Sequence, residues 1–399
     1  METILGIIAL IVLSLIGTHK GFSRLSLSGS INVFFLTGTE FLLIGIILGP
    51  HAFNMISAEI IRGMYPFVGL GLGWIGMLYG LQFNLRRLRR MPAGYLNSGL
   101  LQSAVTFVFL FAGTLSILSY IQGLSGNSFI SATILAAVGS CSSQTALGLI
   151  SRDMNHRKSH LLRTLRFVAS IGDAPGLAAF GIALCFLHTT PALSGQPYVF
   201  LQWISFAILF GAVSGWLMIF LMKMRLTREE LSLFAIGLVL FSGGTAAFLR
   251  LSPLFVNFIA GLIIANSHRN HNMLDDIMVK SEKPIYLILL ALAGSMWSIT
   301  PVSVIWLSLL YVAVRAAGKT AGYYLSSTAI LKRTYTPQFA GLALINQGGM
   351  ALAMVINLQL ISSSTVTDAI ITIIISAILV SELAGQSLIN FVLSREAGS

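Results

Sequence analysis

The sequence predicts an all-α polytopic membrane protein of about thirteen transmembrane helices, and three observations carry that prediction. Hydrophobic residues make up 56% of the 399 residues and charged residues 9%, where a water-soluble domain carries about 25% charged residues. Apolar stretches long enough to cross about 30 Å of hydrocarbon follow one another from end to end. Basic residues alternate between successive connections. A water-soluble core is excluded.

The first apolar stretch, 3–17, lacks a basic start, and no small-residue cleavage site precedes Lys20 and Arg24. It is therefore expected to be a mature helix and not a signal peptide. Further spans are expected near 31–49, 65–82, 94–120, 128–150, 161–187, 198–222, 231–249, 253–267, 284–299, 302–326, 336–359 and 366–392. The connections are short and hold helix-ending residues, as at Gly49-Pro50-His51, Arg90-Met91-Pro92, Gly123 to Asn127 and Ser252-Pro253.

Lys and Arg test this count. Nineteen of them follow odd-numbered spans, from Lys20 and Arg24 through the Arg86–Arg90 cluster to Arg395, whereas the other connections hold only Arg62 and Arg250. The asymmetry predicts an odd number of spans, with the N-terminus outside and the C-terminus cytoplasmic, in the cell (inner) membrane. It also accounts for the net charge of +11 without nucleic acid as a partner. A single transmembrane domain over 1–399 is expected, with no soluble regulatory domain. Cys141 and Cys185 lie in apolar spans and fit neither a disulfide framework nor a zinc motif. No Walker A loop, dinucleotide fingerprint or nucleophile triad stands out, so no enzyme and no cofactor is expected.

A charge inside hydrocarbon costs about 2.5–3.5 kcal/mol on insertion scales, so a retained one usually has a partner or a task. Asp173 lies in Ala169-Ser170-Ile171-Gly172-Asp173-Ala174-Pro175-Gly176 of the sixth span. Twelve or so residues into a helix place it roughly 18 Å deep, near the midplane. Pro175 lacks its helical donor, and the glycines ease bending, so freed carbonyls could ligate a cation beside the carboxylate. A proton and a cation can compete for a lone buried carboxylate, which is what exchange requires. The alternative is an Asp neutralised by Arg166, seven residues earlier on the same face.

The fifth span contains Gly139-Ser140-Cys141-Ser142-Ser143-Gln144-Thr145, and the twelfth contains Asn346-Gln347-Gly348-Gly349. Such mid-span runs suit discontinuous helices that bind ions, or else close small-residue packing. Two interruptions, one in each half of the chain, point to a crossed-helix site. Arg315 and Lys319 share one face of the eleventh span. They balance charge in the absence of a bound ion, form a static ion pair, or snorkel to the surface. Glu40 and Glu382 are accessory carboxylates that bond neighbouring helices or line a path.

Several segments in order resemble the monovalent cation:proton antiporter-2 family of sodium/proton and potassium/proton exchangers. Glu40 to Pro50 is similar to its "GELLAGILLGP", Gly76 to Arg90 to its "FLAGLE…LRR", and Ser252 to Leu262 to its "SPLLGAFLAGL". Gln347-Gly348-Gly349 is similar to its "QGG", and Arg315 and Gly318-Lys319 to its Arg and Gly-Lys positions. The resemblance covers nearly the whole chain. It implies an antiporter fold with inverted repeats and two crossed broken helices, the fifth and twelfth spans. The core bundle would hold spans five, six, twelve and thirteen, and the rest would form a scaffold. It implies a homodimer in the lipid bilayer that exchanges Na⁺ or K⁺ for H⁺ at Asp173. Cys141, Ser142, Ser143 and Gln347 would complete the ion shell, and Arg315, Lys319 or Arg166 would balance charge.

Three positions depart from the family pattern. Gly172 stands where Asp, Asn or Gln usually precedes the aspartate, Cys141-Ser142-Ser143 lacks the usual Pro, and Met350 follows the "QGG" where Kef-type members often have Glu. A single aspartate implies one proton per cation and electroneutral exchange. The rival readings are a passive cation channel and a non-transporting subunit or sensor on the same fold.

Overall fold

The computed structural model describes residues 38–397 apart from 51, 90–93, 123–124, 151–158, 188–197, 225, 268–270, 298–301, 332–338 and 363. The expected span at 3–17 and the first part of that at 31–49, residues 31–37, lie outside the described residues. Among the described residues every regular element is a helix. Helix α1 (Glu40–Leu48) ends at Gly49, a short α2 (Ala58–Gly63) follows, and α3 (Tyr65–Gln82) starts on Pro66, where no donor is needed. Helix α4 (Leu85–Arg89) carries basic residues, and α5 (Tyr95–Gln122) spans the bundle. The fifth span is two helices, α6 (Gly126–Ser140) and α7 (Gln144–Ile150), separated at residues 141–143. Helix α8 (His160–Phe186) runs unbroken through Pro175, its Ser159 hydroxyl accepting from the Leu162 N–H at 2.9 Å.

Next come α9 (Tyr198–Leu221), α10 (Arg228–Phe248), α11 (Pro253–Asn266), α12 (Asn272–Ser295) and α13 (Val302–Ala329). The twelfth span is again divided, into a 3₁₀ turn (Ala340–Leu344), a non-helical stretch at 345–348, and α14 (Gly349–Ile361), before α15 (Thr365–Ala397) closes the chain. Among the described residues seven helical segments, with α6 and α7 taken together as one, are long and apolar enough to cross a membrane, and α11 and α14 are shorter apolar helices.

Helix α12 starts well before the expected 284. Leu274, Ile277 and Met278 are buried at helical spacing while Asp276 and Lys280 are exposed. The charge on the outer face masks this first amphipathic stretch in a hydropathy reading.

Close glycine packing binds one group of helices. A Cβ on Gly76 or Gly80 of α3 would lie 2.2–2.3 Å from a carbonyl oxygen of α11, and one on Gly45 of α1 would lie 2.0 Å from the Ala291 carbonyl of α12. Helices α9 and α10 join this group through α11 and α3. A second group gathers α6, α8, α13 and α15 around the interrupted spans. Helix α5 packs against α6, α8 and α13, and so sits with this second group.

The ends of α3 and α11 meet where the Asn84 amide donates to the Ala265 carbonyl at 2.9 Å and the Asn266 amide to that of Phe83 at 2.9 Å. Arg228 at the start of α10 pairs with Asp276 of α12 at 3.3 Å. These contacts bring together connections that follow odd-numbered spans, as the alternation of basic residues requires.

Candidate ion-binding site

The two interruptions cross and bond to each other. The Ser143 N–H donates to the Asn346 carbonyl at 2.8 Å. A Cβ on Gly348 would lie 3.1 Å from Ser143 Cα, a tight contact that glycine avoids. Breaking a helix leaves carbonyls unpaired at the end of its first half and N–H groups unpaired at the start of its second. In a membrane each of these groups needs a protein partner.

Arg315 and Lys319 of α13 supply partners for the carbonyls. Both are fully buried. Arg315 donates through Nε to the Gly139 carbonyl at 2.8 Å, through one terminal nitrogen to that of Cys141 at 2.8 Å, and through the other to that of Ile345. One guanidinium thus holds the ends of both first halves. Lys319 donates to the Ser140 carbonyl and to the Ser142 hydroxyl, the latter at 2.6 Å. Positive charge here meets the negative ends of helix dipoles. The snorkelling alternative is overturned because neither side chain reaches the surface. Among the described residues the direct ion pairs involve Arg228, His271 and Lys280 near the surface, and neither Arg315 nor Lys319 is in one.

Asp173 sits on the other side of the same break. Its side chain is 2% exposed, and Oδ1 accepts from the Ser142 N–H at 3.0 Å. Ser142 therefore stands between the carboxylate and the Lys319 ammonium. The Ser143 hydroxyl caps α7 by accepting from the Ala146 N–H at 3.2 Å. Cys141 points its thiol back at the Ala137 carbonyl, 3.6 Å away. Gln347, 1% exposed, has no hydrogen-bond partner at either amide atom.

The structure thus gathers Asp173, Cys141, Ser142, Ser143, Gln347, Arg315 and Lys319 at one crossing. Arg166 is not brought there: its side chain is exposed beside Gly148 of α7. Glu382, 2% exposed on α15, adjoins the crossing by accepting from the Asn346 amide at 3.4 Å. Glu40 begins α1, which packs against α12, and one of its carboxylate oxygens is buried without a partner.

Polar residues of α5 were missed in the sequence reading. The Ser103 hydroxyl donates to the Gly172 carbonyl at 2.8 Å, the Thr106 hydroxyl to the Gly318 carbonyl at 3.2 Å, and the Gln102 amide to Thr106 Oγ1 at 3.1 Å. The available signal was their spacing: Ser98, Gln102 and Thr106 recur every four residues inside an apolar span.

A family profile described as sodium/hydrogen exchanger, transmembrane, matches residues 5–389. The chain belongs to the sodium/hydrogen exchanger family. It is an integral membrane protein of a family of transporters that exchange cations for protons. No curated protein matches the sequence. Among solved structures, the fold is similar to that of the sodium proton antiporter MjNhaP1 from Methanocaldococcus jannaschii at pH 8. The TM-score is 0.64 at 15% identity, over 98% of this chain and 100% of that one. The fold is an antiporter fold, and the two broken, crossed spans expected from the sequence are part of it.

Proposed function

We propose that the chain exchanges a monovalent cation, Na⁺ or K⁺, for a proton by alternating access, with Asp173 carrying either ion in turn. The observation that carries this reading is the buried Asp173 carboxylate bonded to the Ser142 N–H at a crossing of two broken helices. In low dielectric an unneutralised carboxylate is costly, so Asp173 holds a proton or a cation at each stage. The Gln347 amide, with the Ser142 and Ser143 hydroxyls and the Cys141 segment, supplies oxygens around it. Lys319 and Arg315 keep the helix ends neutralised whichever ion is bound.

One carboxylate exchanges one proton for one cation, and the cycle is electroneutral. The exchanger works as a homodimer in the cell membrane, with its N-terminus outside and its C-terminus cytoplasmic, and the group of helices around the crossing moves against the glycine-packed group.

Asp173→Asn tests the reading. The amide oxygen can still accept from Ser142, so the fold is retained while the charge is lost. A unit charge at cation contact is worth several kcal/mol even at an effective dielectric near 20. In proteoliposomes with an internal pH dye, an imposed gradient should collapse on adding Na⁺ or K⁺ but not choline, and Asp173→Asn should abolish the response. Cation-dependent flux that persists in Asp173→Asn overturns the assignment. No response of the folded wild type to any cation favours the non-transporting reading, and currents without proton coupling favour a channel.

A further inference from the structure

Helix α5 carries a buried polar stripe whose bonds leave one amide oxygen unspent. Ser98, Gln102, Ser103 and Thr106 are each at most 1% exposed. The orientation of the Gln102 amide follows from the chemistry of its neighbour. The single hydroxyl hydrogen of Thr106 goes to the Gly318 carbonyl at 3.2 Å. Thr106 Oγ1 must then accept from Gln102, so the atom 3.1 Å away is the NH₂ group. The amide oxygen, Oε1, is turned the other way and has no hydrogen-bond partner.

That oxygen faces α8 at Gly172, the residue before Asp173. It lies 3.5 Å from where a side chain on Gly172 would begin. Gly172 has none, so Oε1 approaches the α8 backbone one residue before Asp173. The position is held firmly. Ser103 bonds the Gly172 carbonyl at 2.8 Å, and a Cβ on Gly99 would lie 3.0 Å from Ile171 Cβ, so the two helices touch one turn away. A buried carbonyl-type oxygen without a donor has given up its water and gained nothing in return. A hard monovalent cation, or the water it carries, is the partner that relieves the cost, because such ions are held by amide, hydroxyl and carboxylate oxygens.

We infer that Gln102 Oε1 is a ligand of the transported cation or of its bound water, occupying from α5 the place that Gly172 leaves open. The inference rests on the exchange reading at Asp173. A neutral oxygen favours a cation strongly and an O–H proton weakly, so Gln102 sets cation affinity and leaves the proton step nearly unchanged.

The test uses the full chain in proteoliposomes and measures exchange against Na⁺ and K⁺ concentration. Gln102→Met keeps the length of the side chain and removes the oxygen. It should raise the cation KM about tenfold, the equivalent of 1.4 kcal/mol, while the rate at saturating cation stays near wild type. The double variant Gln102→Ala/Gly172→Asn, which grows an amide from α8 into the vacated space, should return KM to within about threefold of wild type. Melting temperature in increasing NaCl or KCl gives a second readout, and cation-dependent stabilisation should weaken in Gln102→Met. An unchanged KM and unchanged cation stabilisation in Gln102→Met, with Asp173-dependent exchange intact in the wild type, overturns the inference alone. Loss of rate at saturating cation with no change in KM also overturns it, because that marks a packing role. Wild-type protein without Asp173-dependent exchange instead overturns the reading beneath it.

Discussion

Arg315→Lys keeps the positive charge at the crossing and removes the planar fork. In the structure the guanidinium donates to three carbonyls, those of Gly139 and Cys141 at 2.8 Å and that of Ile345, which belong to two different interrupted spans. A lysine ammonium is a point donor and cannot span both helix ends at once. The variant therefore loses about two charge-assisted bonds, each worth about 1.5–3 kcal/mol, or about 3–6 kcal/mol in all. That is a large share of a typical stability of about 5–15 kcal/mol. The two cysteines are free and buried, Cys141 at the contact itself and Cys185 elsewhere on α8, so a thiol-reactive dye reports unfolding. We expect melting of the purified protein to fall by on the order of 5 °C, and cation-dependent proton flux to be lost. Arg166→Lys is the matched control: the same chemistry at an exposed side chain should shift stability by no more than about 0.5 kcal/mol. If Arg315→Lys melts with the wild type, the clamp is not what holds the crossing together, and the argument from helix ends fails.

Gly385→Ala should be severe, because its Cβ would lie 1.4 Å from Asn346 Oδ1. Asn346 must then leave Glu382 and disturb the crossing, at a cost of about 1–3 kcal/mol and with loss of exchange, measured by melting and dye flux. Gly244→Ala on α10 is the contrast: nothing lies within 4 Å of its Cβ, and a gain of up to about 1 kcal/mol is expected. Thr227→Ala breaks the capping box with Glu230, in which the Thr227 N–H donates to the carboxylate at 2.8 Å. Amide exchange should quicken over the first turn of α10, with a loss of about 0.5–2 kcal/mol and unchanged transport; faster exchange elsewhere in the bundle would refute a local role.

How far each feature could be read in advance depended on the length scale of its cause. Span number and the two breaks come from composition over a turn or more, and both were legible. The run from Gly139 to Thr145 and the pair Gly348-Gly349 cannot sit comfortably in hydrocarbon as plain helix, and they do not. The burial of Asp173 among polar groups at the break was legible because a charge in mid-span needs a polar partner. The roles of Arg315 and Lys319 were only half legible. Their sequence spacing shows a shared face, but what the face meets depends on the break in α6, which is distant along the chain. Arg166 misled for the same reason: seven residues on one helix is a shared face in projection, and the tertiary packing turned its side chain outward beside Gly148. The onset of α12 was hidden because its buried Leu274, Ile277 and Met278 are diluted by charged neighbours.

The crossing keeps its fixed cations apart from the carboxylate. Two cations are fixed on the carbonyl ends of the broken helices, where dipoles of opposite sign already offset them. They are therefore poor direct competitors for Asp173, and among the described residues neither forms an ion pair with it. What links them to it is Ser142, whose hydroxyl is held by Lys319 and whose N–H is held by Asp173. A change of charge at the carboxylate is felt by the ammonium through one residue, and that residue lies in the non-helical stretch 141–143. A bond network that runs through the break, and not along a rigid helix, is one that can rearrange, as the exchange proposed above requires. The polar seam of α5 borders the same point through the Gly172 carbonyl, so the site joins two interrupted spans to the continuous helices α5, α8 and α13.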